Sequence, residues 1–419
     1  MQKISVENFY FLKVGIIWAH FRAEHFSFWM ICGYIFFEYA RPQSIFPVID
    51  FLPWAQIFIL GALSSVFLDK SVRWVNSSIS YTILAFSLVI FISSVTAIYP
   101  EISSEHYINL YSWVVIYFLI IHIVNSKKRY YIFLLIFVVC AAKIAIGTSK
   151  TWALRGFSFA SWGLSGPKGY FQNSGELAIL MLTLFPVSYK LYLFLKDKVS
   201  RLEKYVLLIF TITPVLTIVG ASSRGSQIAL LLQLILLFRK GLFRIKSLVM
   251  VVALSFFLYE LLPEEQKNRF STTGEDKTSQ QRLLYWEHGI DMILEYPVLG
   301  VGYFNFARYY ADHFPEDMLY EHAELPHNIF IQVGTDAGFM GLIPFSYLIF
   351  WGLWVGWKVR KHIDSQPMLT MTMIGTSYGI LGFTIAGQFV TVAYYPFLWI
   401  GLAFLVSGNN VLRQELKKS

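Results

Sequence analysis

Charge is what this chain has least of: Asp, Glu, Lys and Arg make up 14% of its 419 residues, against about a quarter in soluble domains. That scarcity excludes an ordinary water-soluble domain, which needs charge on its surface. Cysteine is scarcer still. Cys32 and Cys140 both lie in apolar runs without neighbours at metal-ligand spacing, so neither a disulfide framework nor a metal centre is expected. No G-x-G-x-x-G forms around Gly300-Val301-Gly302, which reads as a tight turn rather than a dinucleotide fingerprint, and no cofactor is expected. Met1 to Ala23 is interrupted by Glu7, Lys13, His20 and Arg22 and lacks a small-residue cleavage site, so the first true span is expected to act as the signal anchor. No internal repeat or low-complexity linker divides the chain. Residues 1–419 therefore read as one integral membrane domain with a polar loop inserted at 263–326.

Apolar sequence is what the chain has in excess: 56% hydrophobic, 18% aromatic, mean hydropathy +0.54. A spanning helix needs roughly 20 mostly apolar residues, because lipid offers no partner to a bare backbone N–H or C=O. Suitable stretches lie near 26–40, 53–68, 79–98, 107–124, 129–148, 174–195, 204–221, 224–238, 245–262, 328–356, 369–388 and 394–408. They predict an all-α polytopic membrane protein of about twelve transmembrane helices, with the long loop between the ninth and tenth. Residues 7–20 are shorter and carry Lys13, which suits a helix lying in the membrane interface or entering it only partly.

A net charge of +8 would point to nucleic acid in a soluble protein, but here the basic residues sort by loop. Every second connection is basic: Lys70 and Arg73; Lys127, Lys128 and Arg129; Lys196, Lys198, Arg201 and Lys204; Arg239, Lys240, Arg244 and Lys246; Lys358, Arg360 and Lys361. Lys3, Lys13 and Arg22 precede the first span, and Arg413, Lys417 and Lys418 follow the last. The positive-inside rule then places both termini and these loops in the cytoplasm, and 263–326 outside. No nucleic-acid partner is implied.

Four features on that outer side stand out. Ser222-Ser223-Arg224-Gly225 opens one apolar run. An Arg there often only snorkels to headgroups, but together with free helix N–H groups it makes an anion site. Arg282 lies in a segment whose Leu283, Leu284, Trp286, Ile290, Ile293 and Tyr296 recur at near-helical spacing. That predicts a helix across the outer face, with Thr278 and Gln281 as its capping box and Glu287 or Glu275 as ordinary partners for Arg282. His327 follows Pro326 and directly precedes a long span; a lone His is more often structural, but at a positively polarised helix start a neutral imidazole is available as a proton acceptor. Asp336 lies about two and a half turns further along that span, where a carboxylate is costly unless paired, with Lys143 or the Arg155/Lys168 loop as candidate partners. The EHAELPH run offers Glu321, His322, Glu324 and His327, but without an i, i+4 pair and with Pro326 intervening a zinc site is disfavoured.

In their order, these residues resemble the O-antigen ligase and polymerase superfamily of bacterial envelope glycan enzymes. The resemblance rests on Ser223-Arg224-Gly225, on Arg282-x3-Trp286 followed by Pro297-x2-Gly300-x-Gly302-x3-Phe306, and on His327-Asn328 with Asp336-x-Gly338-x2-Gly341 behind it. It covers about the last half of the chain; Arg41-Pro42-Gln43 and 155–176 lie outside it. It implies a GT-C-like glycosyltransferase of the inner membrane with a periplasmic active site, using an undecaprenyl-diphosphate-linked glycan. Arg224 and Arg282 would bind the diphosphate, and His327 would be the base in a metal-independent, inverting transfer. Trp286, Asn328 and Asp336 are the accompanying substrate-binding candidates, with Arg155 and Lys168 extending the anionic site. The acceptor would be lipid A-core in a ligase, or another lipid-linked repeat unit in a polymerase. A transporter or flippase of lipid-linked glycans is the reading from another class; it would predict repeated halves with broken helices around a midplane cavity.

Overall fold

A computed structural model describes residues 13–158, 163–242 and 276–418, with the side chains of Val14 and residues 239–242 excepted. The predicted span at 245–262 lies outside these residues, as do Glu264, Glu265, Lys267, Arg269 and Glu275 of the polar loop 263–326. Among the described residues every regular element is helical: α1 (Val14–Arg22), α2 (Phe26–Tyr39), α3 (Trp54–Val66), α4 (Ser78–Val95), α5 (Pro100–Ile123), α6 (Lys127–Leu154), α7 (Ser174–Leu195), α8 (Arg201–Gly220), α9 (Arg224–Leu242), α10 (Lys277–Glu295), α11 (Phe306–His313), α12 (Ile329–Lys358), α13 (Pro367–Ala386) and α14 (Pro396–Leu416).

Each predicted span within the described residues overlaps a helix. Seven of the described helices are long and apolar enough to cross a membrane, and α3 and α9 contribute shorter apolar stretches. At 14 and 13 residues, α2 and α3 reach only about 20 Å at 1.5 Å per residue, short of the roughly 30 Å hydrocarbon core. Polar residues set several helix starts. Ser126 caps α6, and Asn173 with Glu176 and Ser200 with Glu203 form capping boxes on α7 and α8.

The bundle is organised around α13, which packs against α7, α9, α12 and α14. Gly375 and Gly379, one turn apart, lie on the α7 backbone: a Cβ at Gly375 would sit 2.8 Å from the Pro186 carbonyl oxygen. Such small residues drive helix contact where lipid removes the hydrophobic incentive. Pro186 has no N–H to give, so the Leu182 carbonyl loses its helical partner. Gln233 of α9 supplies the replacement, its Nε2 donating to Leu182 O at 2.9 Å and to Tyr378 O at 2.7 Å. One proline thereby fixes the meeting point of three helices.

The helix that begins just after His327 is broken. Within α12, Ala337 (φ −146°, ψ 15°) and Gly338 (φ 57°, ψ −158°) leave helical geometry. The backbone groups this frees are taken by the turn after α10: Phe339 N–H donates to Pro297 O at 2.8 Å, and Val301 N–H to Thr335 O at 2.8 Å. Non-helical backbone at this depth is tolerated only when protein re-satisfies it in this way. Gly300 (φ 69°) is required at the contact, since a Cβ there would lie 2.1 Å from Thr335 O. Above the break, α10 and α11 build their own small core from Tyr285, Met292, Val301, Phe306, Tyr309 and Tyr310.

Candidate functional site

The end of the bundle away from the basic connections, here the distal end, gathers the starts of α9, α10 and α12. Ser222 (φ 57°) turns the chain into α9, which begins at Arg224. Asp276 caps α10, its Oδ1 accepting from Ser279 N–H at 3.0 Å and its Oδ2 from the Ser279 hydroxyl at 2.7 Å. The predicted Thr278/Gln281 box is therefore corrected: the cap lies two residues earlier. Gln281 is instead buried, accepting from Leu319 N–H at 2.5 Å and donating to Asp317 O at 3.2 Å.

Arg224 Nη2 lies 3.2 Å from Asp276 Oδ2 and joins α9 to α10. Burial pushes the Asp276 carboxyl up, but the Ser279 hydrogen bonds and the Arg224 guanidinium more than offset this and leave it below the usual carboxylate range. Arg282, on the next exposed-to-buried boundary of α10, is half-buried. Burial and then the like charge of Arg224 lower its affinity for its proton, with Asp276 and Glu324 opposing; a guanidinium still keeps its charge. Its Nε is buried and makes no hydrogen bond. Glu287, suggested as its partner, is exposed, whereas Asp276 and Glu324 are the carboxylates that act on it.

One turn beyond Arg282, Trp286 Nε1 donates to Pro326 O at 2.9 Å, and the neighbouring Tyr285 hydroxyl accepts from Glu324 N–H at 2.8 Å. These bonds hold residues 324–326 against α10. His327 then turns the chain with φ 52°, and its N–H donates to Thr391 Oγ1 at 2.9 Å. Asn328 caps α12, accepting from Phe330 and Ile331 N–H groups, and its Nδ2 donates to Gln388 Oε1 at 3.2 Å. The 387–393 segment also accepts Ile329 N–H at Gly387 O, 2.8 Å. Thr391 and Gln388 thus seat the histidine, a role that no local sequence pattern signals.

His327 Nε2 lies 2.8 Å from Glu324 Oε2. This hydrogen bond, and with it the nearby Arg282 guanidinium, holds the Glu324 carboxyl below its usual range despite some burial. Sequence reasoning treated Glu324 only as part of a weak metal motif; the i, i+3 spacing across Pro326 was the available signal. Among the described residues no group of three or more His, Cys, Asp or Glu side chains is gathered for a metal ion.

The remaining candidates are placed differently. Asp336 is completely buried, at the helix break, where its Oδ1 accepts from Phe304 N–H at 3.0 Å and its main-chain carbonyl accepts from Ser93. Neither suggested partner reaches it: Lys143 donates instead to Ala40 O at 2.7 Å. Arg155 ends α6 and Lys168 lies in the following connection, both exposed, and among the described residues neither is bonded to the Arg282–His327 cluster. That connection meets Arg41 instead, whose guanidinium lies on the Gly169 backbone while bonding Glu38.

Two guanidinium groups, helix starts that bring further N–H donors, and a histidine paired with a carboxylate can bind a polyanion and move a proton. No curated protein matches the chain. Residues 208–346 match the family model described as O-antigen ligase, a stretch that contains Arg224, Arg282, Trp286, His327, Asn328 and Asp336 and excludes Arg155 and Lys168. That match supports the chain's place in the O-antigen ligase superfamily.

Proposed function

We propose that this multi-pass membrane protein is a glycosyltransferase of the ligase type, moving a glycan from a polyprenyl diphosphate to an acceptor hydroxyl at the periplasmic face of the inner membrane. The observation that carries the reading is the half-buried Arg282, its Nε without a partner, beside Arg224 and within reach of the charge on Glu324. A diphosphate would supply the acceptor that the Arg282 Nε–H lacks, and its charge suits a site with two neighbouring guanidinium groups.

In the proposed step, the acceptor oxygen attacks the anomeric carbon and its proton passes to the His327 ring. That attack comes from the face opposite the diphosphate while the bond from the carbon to the diphosphate oxygen breaks and the electron pair leaves with the diphosphate, so the configuration inverts. Arg224 and Arg282 stabilise the charge that develops there, the kind of preorganised electrostatic effect that dominates many enzymes. Glu324 orients the imidazole, as the third member of nucleophile–base–orienter arrangements does. Asp336 and the 297–304 turn hold α10 against α12 and so set the spacing of Arg282 and His327.

The test is a vesicle assay with the purified protein, an undecaprenyl-diphosphate-linked glycan and lipid A-core. A new glycan–lipid A-core product supports the ligase reading. Growth of lipid-linked glycan on other repeat units assigns a polymerase instead, and movement of the donor across the bilayer with no new glycosidic bond assigns a transporter.

A further inference from the structure

At the basic end of the bundle, α1 does not close against its neighbours. Between it and α2, α3 and α6 lies a cavity of about 600 Å³, walled by Trp18, Phe21, Met30, Phe36, Phe58 and Ile136. Its volume falls within the several hundred Å³ typical of small-ligand sites. One charged side chain lines it, Arg22, at the end of α1. Lys128, at the start of α6, adjoins Arg129, whose Nε bonds Glu24 just past the end of α1 at 2.7 Å, so it lies beside the Arg22 end of the groove.

The neighbouring acid is already committed: Glu24 Oε2 takes Arg129 Nε at 2.7 Å. Among the described residues no carboxylate pairs with Arg22 or Lys128. The groove therefore combines an apolar body with a cationic side chain at its rim. Trp18 is 54% exposed at its edge, the position an amphipathic ring takes at a membrane–water interface.

We propose that this groove binds one anionic phospholipid of the leaflet facing the basic connections, with an acyl chain between α1, α2 and α6 and the phosphate at Arg22 and Lys128. The site is at the opposite end from Arg282 and His327 and is independent of the transferase reading. Each basic residue at such a surface strengthens attraction to anionic lipid by about 1 kcal/mol, or about fivefold.

Native mass spectrometry of the full-length protein in detergent, titrated with phosphatidylglycerol and with phosphatidylcholine, tests this. One phosphatidylglycerol per chain is expected to survive delipidation in preference to phosphatidylcholine. Arg22→Ser and Lys128→Ser are each expected to weaken its retention about fivefold, and Ile136→Trp, which fills the groove, to abolish it with thermal stability kept. Equal retention of both lipids, or retention unchanged in all three variants, overturns the proposal. So does phosphatidylglycerol binding that appears only once residues 2–12 are deleted, because the chain's own N-terminus would then be the occupant.

Discussion

The two ends of the bundle each hold a cluster of arginine, carboxylate and histidine side chains, with one arginine at the basic end and two at the distal end, yet they use their charge in opposite ways. At the basic end Arg129, 4% exposed, spends its donors: Nε on Glu24 at 2.7 Å, Nη1 on Ile123 O at 3.0 Å and Nη2 on Ser71 Oγ at 2.8 Å, with Asp69 3.7 Å away. Asp69 is equally occupied, by Ser27, Ser71 and His25. At the distal end Arg282 keeps an unpaired Nε, beside a second arginine. The first cluster is closed and ties α2, α3 and α6 together. The second keeps one buried guanidinium N–H without an acceptor, which is what a site for an anion offers.

The sharpest attack on this contrast is His327→Ala. It is expected to lower glycan transfer by roughly 10²–10⁴-fold, the usual worth of a positioned base, while thermal melting stays near the parent; an unchanged transfer rate would remove His327 from the chemistry. Arg129→Ala should do the reverse. Removing one member of a buried ion pair costs about 3–5 kcal/mol, seen as a large fall in melting temperature, with the molecules that remain folded transferring normally. Arg282→Gln is expected to reduce transfer by about 10²–10³-fold, as loss of a preorganised donor does, with little change in melting.

A smaller effect concerns pH. The carboxyls of Asp276 and Glu324 both sit below their usual range, so the Asp276–Arg224 ion pair and the Glu324–His327 hydrogen bond stabilise the distal end above the ordinary carboxylate pKa of about 4. That contribution is lost as the pH falls through the depressed values. Melting temperature recorded from neutral pH downward should show an acid limb that is shallower in Glu324→Gln, and an identical limb would show that Glu324 does not pair in solution. Smallest of all are Arg155→Ala and Lys168→Ala, expected to change transfer by no more than about twofold, as exposed substitutions do; a larger loss would extend the anion site to the 155–173 connection.

Much of the fold is written in local sequence. Runs of apolar residues near 79–98, 174–195 and 369–388 become α4, α7 and α13 because a backbone in lipid has no other way to satisfy itself. Arg224, Arg282 and His327 were legible because charge is rare enough here that each outer basic residue stands out. The break in α12 was less so: Gly338 and Gly300 are visible as letters, but their meeting depends on the 297–301 turn donating and accepting across to residues 335 and 339.

Sequence alone determined the helical class, the positions of most spans and the residues worth asking about, since these follow from hydropathy, spacing and caps within a few turns of chain. Tertiary structure decided what those residues do for one another. Only packing reveals that Asp276, rather than Thr278, starts α10 and holds Arg224, and that Thr391 seats His327 from a segment 64 residues away. It also turned Asp336 from an isolated carboxylate in a span into the acceptor for Phe304 N–H at a broken helix. The reason is physical: hydrophobic periodicity is a local property, whereas pairing of scarce polar groups inside a membrane bundle is set by which helix ends are brought together.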